Sequence, residues 1–375
     1  MRTRRSDNLT TRSLAMLWRL PAPVRSLLAP GYRRVNSTAA TAVPPLRILF
    51  CGSDDFSIAS LRALTRAQRE VPKLIDSIDV VHRPAKPTGR GLKSLRDVPI
   101  KLAAAEELCV THTIDTFTGW TPPSRVDLII AVSFGLFVPP RILNLAQYGG
   151  LNVHPSLLPD LKGPAPIQHA LLKRRQNTGV SVQTLHPTQF DGGTILAQTP
   201  SPGISISDWV DADDLTKRLG DEGASMLVNV LRSGAFLPPL KDVGWYQDSG
   251  GAIDHAGKIL KGDQQVDFAK STLDDVFAIK RAIGEPWCWL PNGDRLILNE
   301  FSEKKVLVGE QAREHRSTRM WLDTSRGPKH NVPLARMTCG RVLQIDKSSI
   351  GGRPVGGGNQ RLVSMLRQQR SDTVR

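Results

Sequence analysis

An amide and an imidazole stand two residues apart in the stretch 150–168, which reads GLNVHPSLLPDLKGPAPIQ. The apolar run from Gly150 predicts a strand, so Asn152 and His154 would point to the same face of a sheet, just before a proline-rich loop. Open parallel sheets bind their ligands at the carboxyl ends of their strands. An amide there can donate a hydrogen bond to an oxyanion, and an imidazole can hold or move a proton. The pair suits polar catalysis, although a histidine at a strand end can equally be a structural residue.

A carboxylate lies in the loop TQFDGGTI at 188–195, between two strand-like runs. Asp191 precedes two glycines, which permit close backbone approach to a ligand and a positive φ. An ordinary turn aspartate is the alternative interpretation. The run VSFGLFV at 132–138 predicts a strand that turns at Gly135, and it could form the wall of a pocket for a flat heterocycle or belong to the core.

Strands that alternate with helices over roughly 46–205 would position these side chains. This alternation favours a parallel, doubly wound α/β sheet of Rossmann-like type. A further helix is predicted within 207–234. Beyond Trp245, short apolar runs separated by Gly, Asn and Pro turns are typical of a small all-β module. We therefore predict an α/β domain followed by a small OB-like β-barrel.

The chain of 375 residues carries a large excess of basic residues, with 50 Lys and Arg against 35 Asp and Glu. The resulting net charge of +15 points to a polyanionic partner, to a basic targeting segment, or to both. Residues 1–45 hold eight arginines, no lysine and one acidic residue, which is the composition of a mitochondrial presequence. A basic arm that binds RNA is the alternative for this segment.

Two more segments are strongly basic. The stretch 82–101 carries six basic residues against one acidic residue, and its Pro and Gly residues predict a loop in its first half. The C-terminal stretch 351–375 has five arginines and one acidic residue around a Gly-rich sequence, and we predict that it is disordered. Such segments can bind RNA phosphates or can be solvated surface.

Several classes of protein are excluded at this stage. No run approaches the roughly 18 consecutive apolar residues that a membrane span needs, so we expect no membrane association. The four cysteines are scattered without a C-x-x-C pair, which argues against a disulfide framework or a zinc ribbon and for a reducing compartment. We expect no metal site.

Taken together, these motifs resemble the formyltransferase superfamily and, within it, the methionyl-tRNA formyltransferases in their mitochondrial version. The most specific is N-V-H-x-S-L-L-P followed by G-x-A-P-I-Q, which is matched from Asn152 through Gln168. The resemblance covers roughly 46–310, and its other matches are G-x-x-D-F at 52–56, the basic loop at 83–93, V-x-A-Y-G-L at 132–136, L-D-x-G at 190–193, A-x-K-[IL] at 256–259 and P-W at 286–287.

The resemblance implies transfer of a formyl group from 10-formyltetrahydrofolate to the amino group of methionine on tRNA, without a metal. It implies that Asn152, His154 and Asp191 are catalytic. The folate would be bound by Val132, Ser133, Phe134, Gly135, Leu136, Ser156, Leu157, Leu158, Pro159, Gly192 and Gly193. The tRNA would be bound by Arg83, Lys86, Arg90, Lys93, Lys258 and Lys261. We expect a monomer in the mitochondrial matrix.

Five segments are predicted: a presequence at 1–45, a formyltransferase catalytic domain at 46–205, a helical linker at 206–249, a tRNA-binding β-barrel at 250–350 and a disordered basic tail at 351–375. The chain departs from the family pattern at Phe134, where Tyr is usual, at Phe190, where Leu is usual, and in two extra residues of the basic loop. A glycinamide ribonucleotide transformylase, a folate-dependent formyl hydrolase and a non-catalytic RNA-binding relative are the alternatives.

Overall fold

The computed structural model describes residues 44–89, 91, 93–305, 320–323, 331–353 and 356–373. Nearly all of the predicted presequence and Arg90 of the basic loop lie outside these residues. The strands are β1 (Leu46–Gly52), β2 (Ile75–His82), β3 (Lys86–Thr88), β4 (Ser94–Arg96), β5 (Val110–Thr113), β6 (Leu128–Val132), β7 (Gly150–His154), β8 (Asn177–Thr178), β9 (Ser181–Thr184), β10 (Ile195–Gln198), β11 (Ile204–Ser205), β12 (Trp287–Trp289), β13 (Arg295–Lys304), β14 (Met320–Asp323), β15 (Val332–Arg336) and β16 (Val342–Ile350). The helices are α1 (Asp55–Glu70), α2 (Pro99–Glu106), α3 (Pro140–Leu143), α4 (Pro166–Leu172), α5 (Ala212–Ser233), α6 (Leu273–Ile283) and α7 (Gly358–Thr373).

The first domain is built on a seven-stranded sheet of order β10-β9-β7-β6-β1-β2-β5. The five strands from β5 to β7 are parallel, whereas β9 runs antiparallel to β7 and β10 antiparallel to β9. The central strands are apolar throughout because both faces of the sheet are covered. Phe50 and Ile130 face a core shared with α1, α2 and α5, while Leu49 and Ile129 face a second core shared with α3. The predicted α/β class is confirmed.

Helix α5 is part of this domain and not of a linker, so the predicted linker at 206–249 is wrong over this helix. Asp211 caps the helix through the backbone N–H of Asp214, and Gly234 ends it with a φ of 70°. A side chain at Gly223 would place its Cβ 2.7 Å from the Cγ1 atom of Val153 in β7. The helix therefore packs directly against the strand that carries the Asn-x-His pair.

The second domain contains a five-stranded antiparallel sheet of order β12-β13-β16-β15-β14, in agreement with the predicted small β domain. The predicted disordered tail is wrong over 358–373, where α7 packs on this sheet. Leu362 and Leu366, one helical turn apart, are buried in the same core as Leu343 and Ile345. The prediction of disorder relied on the high Arg and Gly content of the tail and did not take this short apolar stripe into account.

Candidate active site

Asn152 is fixed at the carboxyl end of the parallel strands by two hydrogen bonds. Its Nδ2 donates to the carbonyl of Ala131 on β6 at 2.9 Å, and its Oδ1 accepts from Nε2 of Gln183 on β9 at 3.2 Å. The side-chain amide has a second N–H, which no protein group accepts within the residues that the structure covers. This N–H is the donor that Asn152 can offer to a substrate.

His154 ends β7, and each of its ring nitrogens faces an acceptor. Nε2 lies 3.0 Å from the carbonyl of Leu161, so Nε2 carries a proton and donates it to this bond. Nδ1 lies 3.4 Å from Oδ1 of Asp191, and the two side chains are 7% and 9% exposed. The Nε2 bond fixes the orientation of the ring and leaves Nδ1 facing the carboxylate of Asp191.

Asp191 adopts a φ of 51°, a left-handed conformation that Asp tolerates better than most residues. Its Oδ1 also accepts from Nε2 of Gln183 at 3.2 Å, and its Oδ2 accepts from the backbone N–H of Gly163 at 2.9 Å. Asp191 is therefore both a turn residue and the carboxylate next to His154. The structure brings together the three side chains that the motifs singled out.

Gln183 completes this cluster and was not among the residues singled out from the sequence. It lies opposite Asn152 in the β7–β9 register and is only 2% exposed. Besides its two Nε2 contacts, its Oε1 accepts from the backbone N–H of Gly193 at 3.1 Å. An amide inside the alternating strand 180–185 was the available signal, but only the pairing of β9 with β7 connects it to Asn152.

The turn after β6 has exposed backbone at the carboxyl end of the strands, where the catalytic candidates lie. Ser133 and Gly135 are exposed with φ values of 48° and 73°, whereas Val132 and Phe134 are buried.

Two aromatic rings lie between the turn after β6 and the loop that carries Asp191. Phe137 and Phe190 meet in a T-shaped contact with their centroids 5.1 Å apart, and Phe190 is 65% exposed. The ring of Phe190 thus joins the turn after β6 to the loop of Asp191. Its position next to Asp191 makes the departure from Leu a change in the wall of the site.

Three of the predicted folate contacts point into the protein instead. The side chains of Ser156, Leu157 and Leu158 are buried. The backbone N–H of Leu158 donates to the Ser181 hydroxyl at 3.0 Å, and its carbonyl accepts from Gln198 at 2.9 Å. This part of the motif packs the loop onto β9 and β10. Pro159 is partly exposed, as are Gly192 and Gly193, which directly follow Asp191.

The basic loop contains two short antiparallel strands, β3 and β4, and β3 lies in the half for which the sequence predicted a loop. We call residues 86–96 the basic hairpin. Lys86 and Lys93 are exposed, as are Lys258 and Lys261 nearer the second domain. Arg83 differs, because it forms an ion pair with Asp115 at 2.6 Å. The structure therefore leaves four of the predicted tRNA-binding residues accessible and pairs a fifth.

The described part of the chain was searched for metal-binding groups and for membrane-spanning helices. It contains no group of three or more His, Cys, Asp or Glu side chains that could hold a metal ion. None of the helices described there combines the length and the apolar character that crossing a membrane requires.

The formyl transferase family profile matches residues 46–231, a span that includes α5. The mitochondrial methionyl-tRNA formyltransferase of Homo sapiens is 33% identical over 284 residues, which cover 74% of this chain and 68% of that protein. The mitochondrial enzyme of Saccharomyces cerevisiae is 36% identical over 255 residues, covering 58% and 62% respectively.

Among solved structures, the Helicobacter canadensis N-formyltransferase in complex with folinic acid and dTDP-3-aminofucose superposes with a TM-score of 0.51 at 12% identity, covering 80% of this chain and 98% of that one. This likeness shows the fold alone. The relatives select the first of the functions considered above, formylation of methionyl-tRNA, over the alternatives. The chain belongs to the mitochondrial methionyl-tRNA formyltransferase family.

Proposed function

We propose that the formyl donor is 10-formyltetrahydrofolate and that Asn152, His154 and Asp191 catalyse transfer of its formyl group to methionyl-tRNA. The observation that carries this assignment is the continuous chain of contacts from Asn152 through Gln183 and Asp191 to His154 at the carboxyl end of β7. The match to the formyl transferase family and the folinic acid bound in the Helicobacter canadensis enzyme of the same fold support a folate co-substrate.

The reaction needs no covalent intermediate on the protein. An α-amino group has a pKa of about 7.7–8.0, so a useful fraction of the methionyl amine is neutral at physiological pH. Its nitrogen forms a bond to the formyl carbon, the C–N bond to the folate then breaks, and one proton passes from the attacking nitrogen to the leaving nitrogen. The carbonyl oxygen becomes negative in between and requires a hydrogen-bond donor.

Asn152 supplies that donor through the second N–H of its amide. The bonds to Ala131 and Gln183 hold the amide in place, so the donor does not have to be reoriented when the oxyanion forms. His154 stabilises the same charge from its Nδ1 side, where the 3.4 Å separation from Asp191 is longer than an ordinary hydrogen bond and can change when substrate enters. Asp191 stabilises the protonated ring.

For the folate we propose a site between the turn after β6 and the Asp191 loop. The exposed backbone of Ser133, Gly135 and Gly192 can bond the edge of a flat heterocycle, and the rings of Phe137 and Phe190 can contact its face. The buried side chains at 156–158 would act by holding the loop rather than by touching the folate.

For the tRNA we propose that the basic hairpin binds the acceptor end and that the second domain, from about residue 250 through α7, binds farther along the stem. Lys86, Lys93, Lys258 and Lys261 are exposed and can reach phosphates. Arg83 is the weakest of the proposed contacts because Asp115 already neutralises it. Arg90 lies outside the described residues, so its proposed role in tRNA binding depends on the sequence alone.

We propose that the enzyme acts in the mitochondrial matrix as a monomer, with residues 1–45 as its presequence. The four side chains of the candidate site come from one chain, so a second copy is not needed to complete it. N-terminal sequencing of the matrix protein should begin between about Val35 and Leu46, and an intact Met1 would contradict the presequence.

The test of the proposed function is formyl transfer from 10-formyltetrahydrofolate to Met-tRNA, with glycinamide ribonucleotide as a competing acceptor. We expect Met-tRNA to be formylated and glycinamide ribonucleotide to be inert. Full activity of an Asn152→Ala, His154→Ala or Asp191→Ala variant would show that the assigned side chain is not catalytic.

A further inference from the structure

The backbone at 161–163 contacts the candidate site on one side. The carbonyl of Leu161 accepts the hydrogen bond from Nε2 of His154 at 3.0 Å, and the N–H of Gly163 donates to Oδ2 of Asp191 at 2.9 Å. The ring and the carboxylate are therefore both oriented by this three-residue stretch, which we call the site strip.

On its other side the site strip pairs with residues 254–256, at the start of the second domain. The N–H of Leu161 donates to the carbonyl of Asp254 at 2.8 Å, and the N–H of Ala256 donates to the carbonyl of Lys162 at 2.7 Å. The two segments run parallel here. They approach so closely that a Cβ atom at Gly163 would lie 2.4 Å from the carbonyl oxygen of Ala256. Any movement of one segment must therefore move the other.

An arginine just beyond α4 holds these two segments together. The guanidinium of Arg175 binds both oxygens of Asp160, each at 3.1 Å, and also Oδ2 of Asp254 at 2.5 Å. The backbone N–H of Asp254 adds a bond to Oδ1 of Asp160 at 2.9 Å. Asp160 immediately precedes the site strip and is buried, so the planar, multi-donor guanidinium sets its position in a way that a single ammonium cannot.

The ion pair between Arg175 and Asp254 favours the charged form of both side chains. Hydrogen bonds from Lys173 and Arg175 lower the pKa of Asp254, and those from Asp160 and Asp254 raise the pKa of Arg175. Arg175 contacts neither Asn152, His154, Gln183 nor Asp191 in the structure. Any effect on the reaction must pass through the backbone at 161–163.

We propose that Arg175 is a positioning residue for formyl transfer, which it supports by clamping Asp160 to Asp254 so that the site strip keeps the His154 ring in place. This inference rests on the proposed function of His154. It also makes the connection to the second domain a structural component of the candidate site.

Kinetic measurements on Arg175→Gln in the full chain test this role. We expect kcat to fall about 10–100-fold, because small displacements of a reacting group are costly, while the KM for Met-tRNA stays within about twofold. Arg175→Lys keeps the charge but loses the planar fork, and it should be intermediate.

Lys173→Gln is the matched control. Lys173 pairs with the same Asp254, at 3.1 Å, but it lies at the surface and does not bind Asp160. We expect its kcat to remain near that of the wild type. A kcat in Arg175→Gln equal to that of Lys173→Gln would overturn the proposal.

A spectroscopic readout separates positioning from general destabilisation. In protein labelled with 15N-histidine, the Nε2–H signal of His154 can be assigned by its absence from His154→Gln. We expect this signal to shift or to exchange faster in Arg175→Gln and to be unchanged in Lys173→Gln. An unchanged signal in folded Arg175→Gln would also overturn the proposal.

Two further variants keep the test decisive. If Arg175→Gln does not fold, Arg175→Lys and Asp254→Asn replace it in both measurements. If His154→Gln itself retains turnover, the proposed catalysis fails, yet the NMR comparison still decides whether Arg175 positions the ring.

Discussion

The end of β7 and the basic hairpin are both rich in polar side chains, but they differ in how the protein holds these side chains in place. At the end of β7, Asn152, His154, Gln183 and Asp191 bond to one another or to backbone. In the hairpin, Lys86 and Arg96 lie opposite each other with exposed side chains, and neither has a carboxylate partner among the residues described.

The contrast separates two uses of polar groups. Side chains that are bonded before substrate arrives act as preorganised dipoles, which is what stabilisation of a developing oxyanion requires. Exposed like charges lose conformational freedom and counterions only when a polyanion binds, so their contribution depends on salt. Changes at the first region should therefore alter kcat, and changes at the second should alter the KM for tRNA.

The largest effect is expected from His154→Ala and Asp191→Ala. Each should lower kcat by about 10²–10⁴ because each removes a group that supports charge in the transition state. The Tm should fall as well, because His154→Ala leaves the Leu161 carbonyl without its donor and Asp191→Ala leaves the Gly163 N–H without its acceptor. Single-turnover assays of the two variants and of the double variant check this, and a double variant no slower than the worse single variant would show that the pair acts as a unit.

Gln183→Met should have the next largest effect. It keeps the volume but leaves Oδ1 of Asn152 and the N–H of Gly193 without a partner, and each unsatisfied buried group costs about 1–3 kcal/mol. We expect kcat to fall about 10–100-fold and the Tm to fall as well. Gln198→Met is a matched control in β10, whose amide bonds the Leu158 carbonyl rather than the catalytic cluster. Equal losses of kcat in both variants would argue against a specific role for Gln183.

Arg90→Ala and Lys93→Ala should act on the other region. Each should raise the KM for Met-tRNA and lower the log–log salt slope by about 1 or less, with the folate KM within about twofold. Arg232→Ala is the matched control, because this arginine at the end of α5 pairs with Glu70 on the surface of α1. Measuring the tRNA KM at several salt concentrations checks the prediction. Slopes that match the control would make the hairpin ordinary solvated surface.

The smallest effect on turnover is expected at the amino ends of the parallel strands, opposite the candidate site. Asp127 precedes β6, and the hydrogen bond from Arg47 lowers the pKa of this carboxylate. Because the folded pKa lies below the unfolded value near 4, the carboxylate stabilises the fold above that pH and loses this contribution as the pH falls through the lowered value. Asp127→Asn should therefore lower the Tm at pH 7, match the wild type in acid and leave kcat unchanged. A lower kcat would contradict the prediction that Asp127 contributes to stability and not to turnover.

Much of the fold was predictable because it depends on local patterns. The runs that became β1, β2, β6 and β7 are apolar and end at turn residues, so hydrophobic pattern and turn chemistry agree. The errors concern elements whose role depends on a distant partner. Helix α5 was predicted as a helix, but its close packing on β7 requires the missing side chain of Gly223, and α7 depends on a core shared with strands β12, β13, β15 and β16.

The sequence by itself determined that this chain carries Asn152, His154 and Asp191 in a formyltransferase pattern, because a motif is a local arrangement of residue types along one strand and one loop. Only the tertiary structure decided what holds them. Gln183 reaches Asn152 because β9 pairs with β7, and the His154 ring is fixed by a carbonyl seven residues away. Hydrogen bonds are directional and span only about 3 Å, so their partners depend on how strands and loops come together in space, which spacing along the chain does not specify.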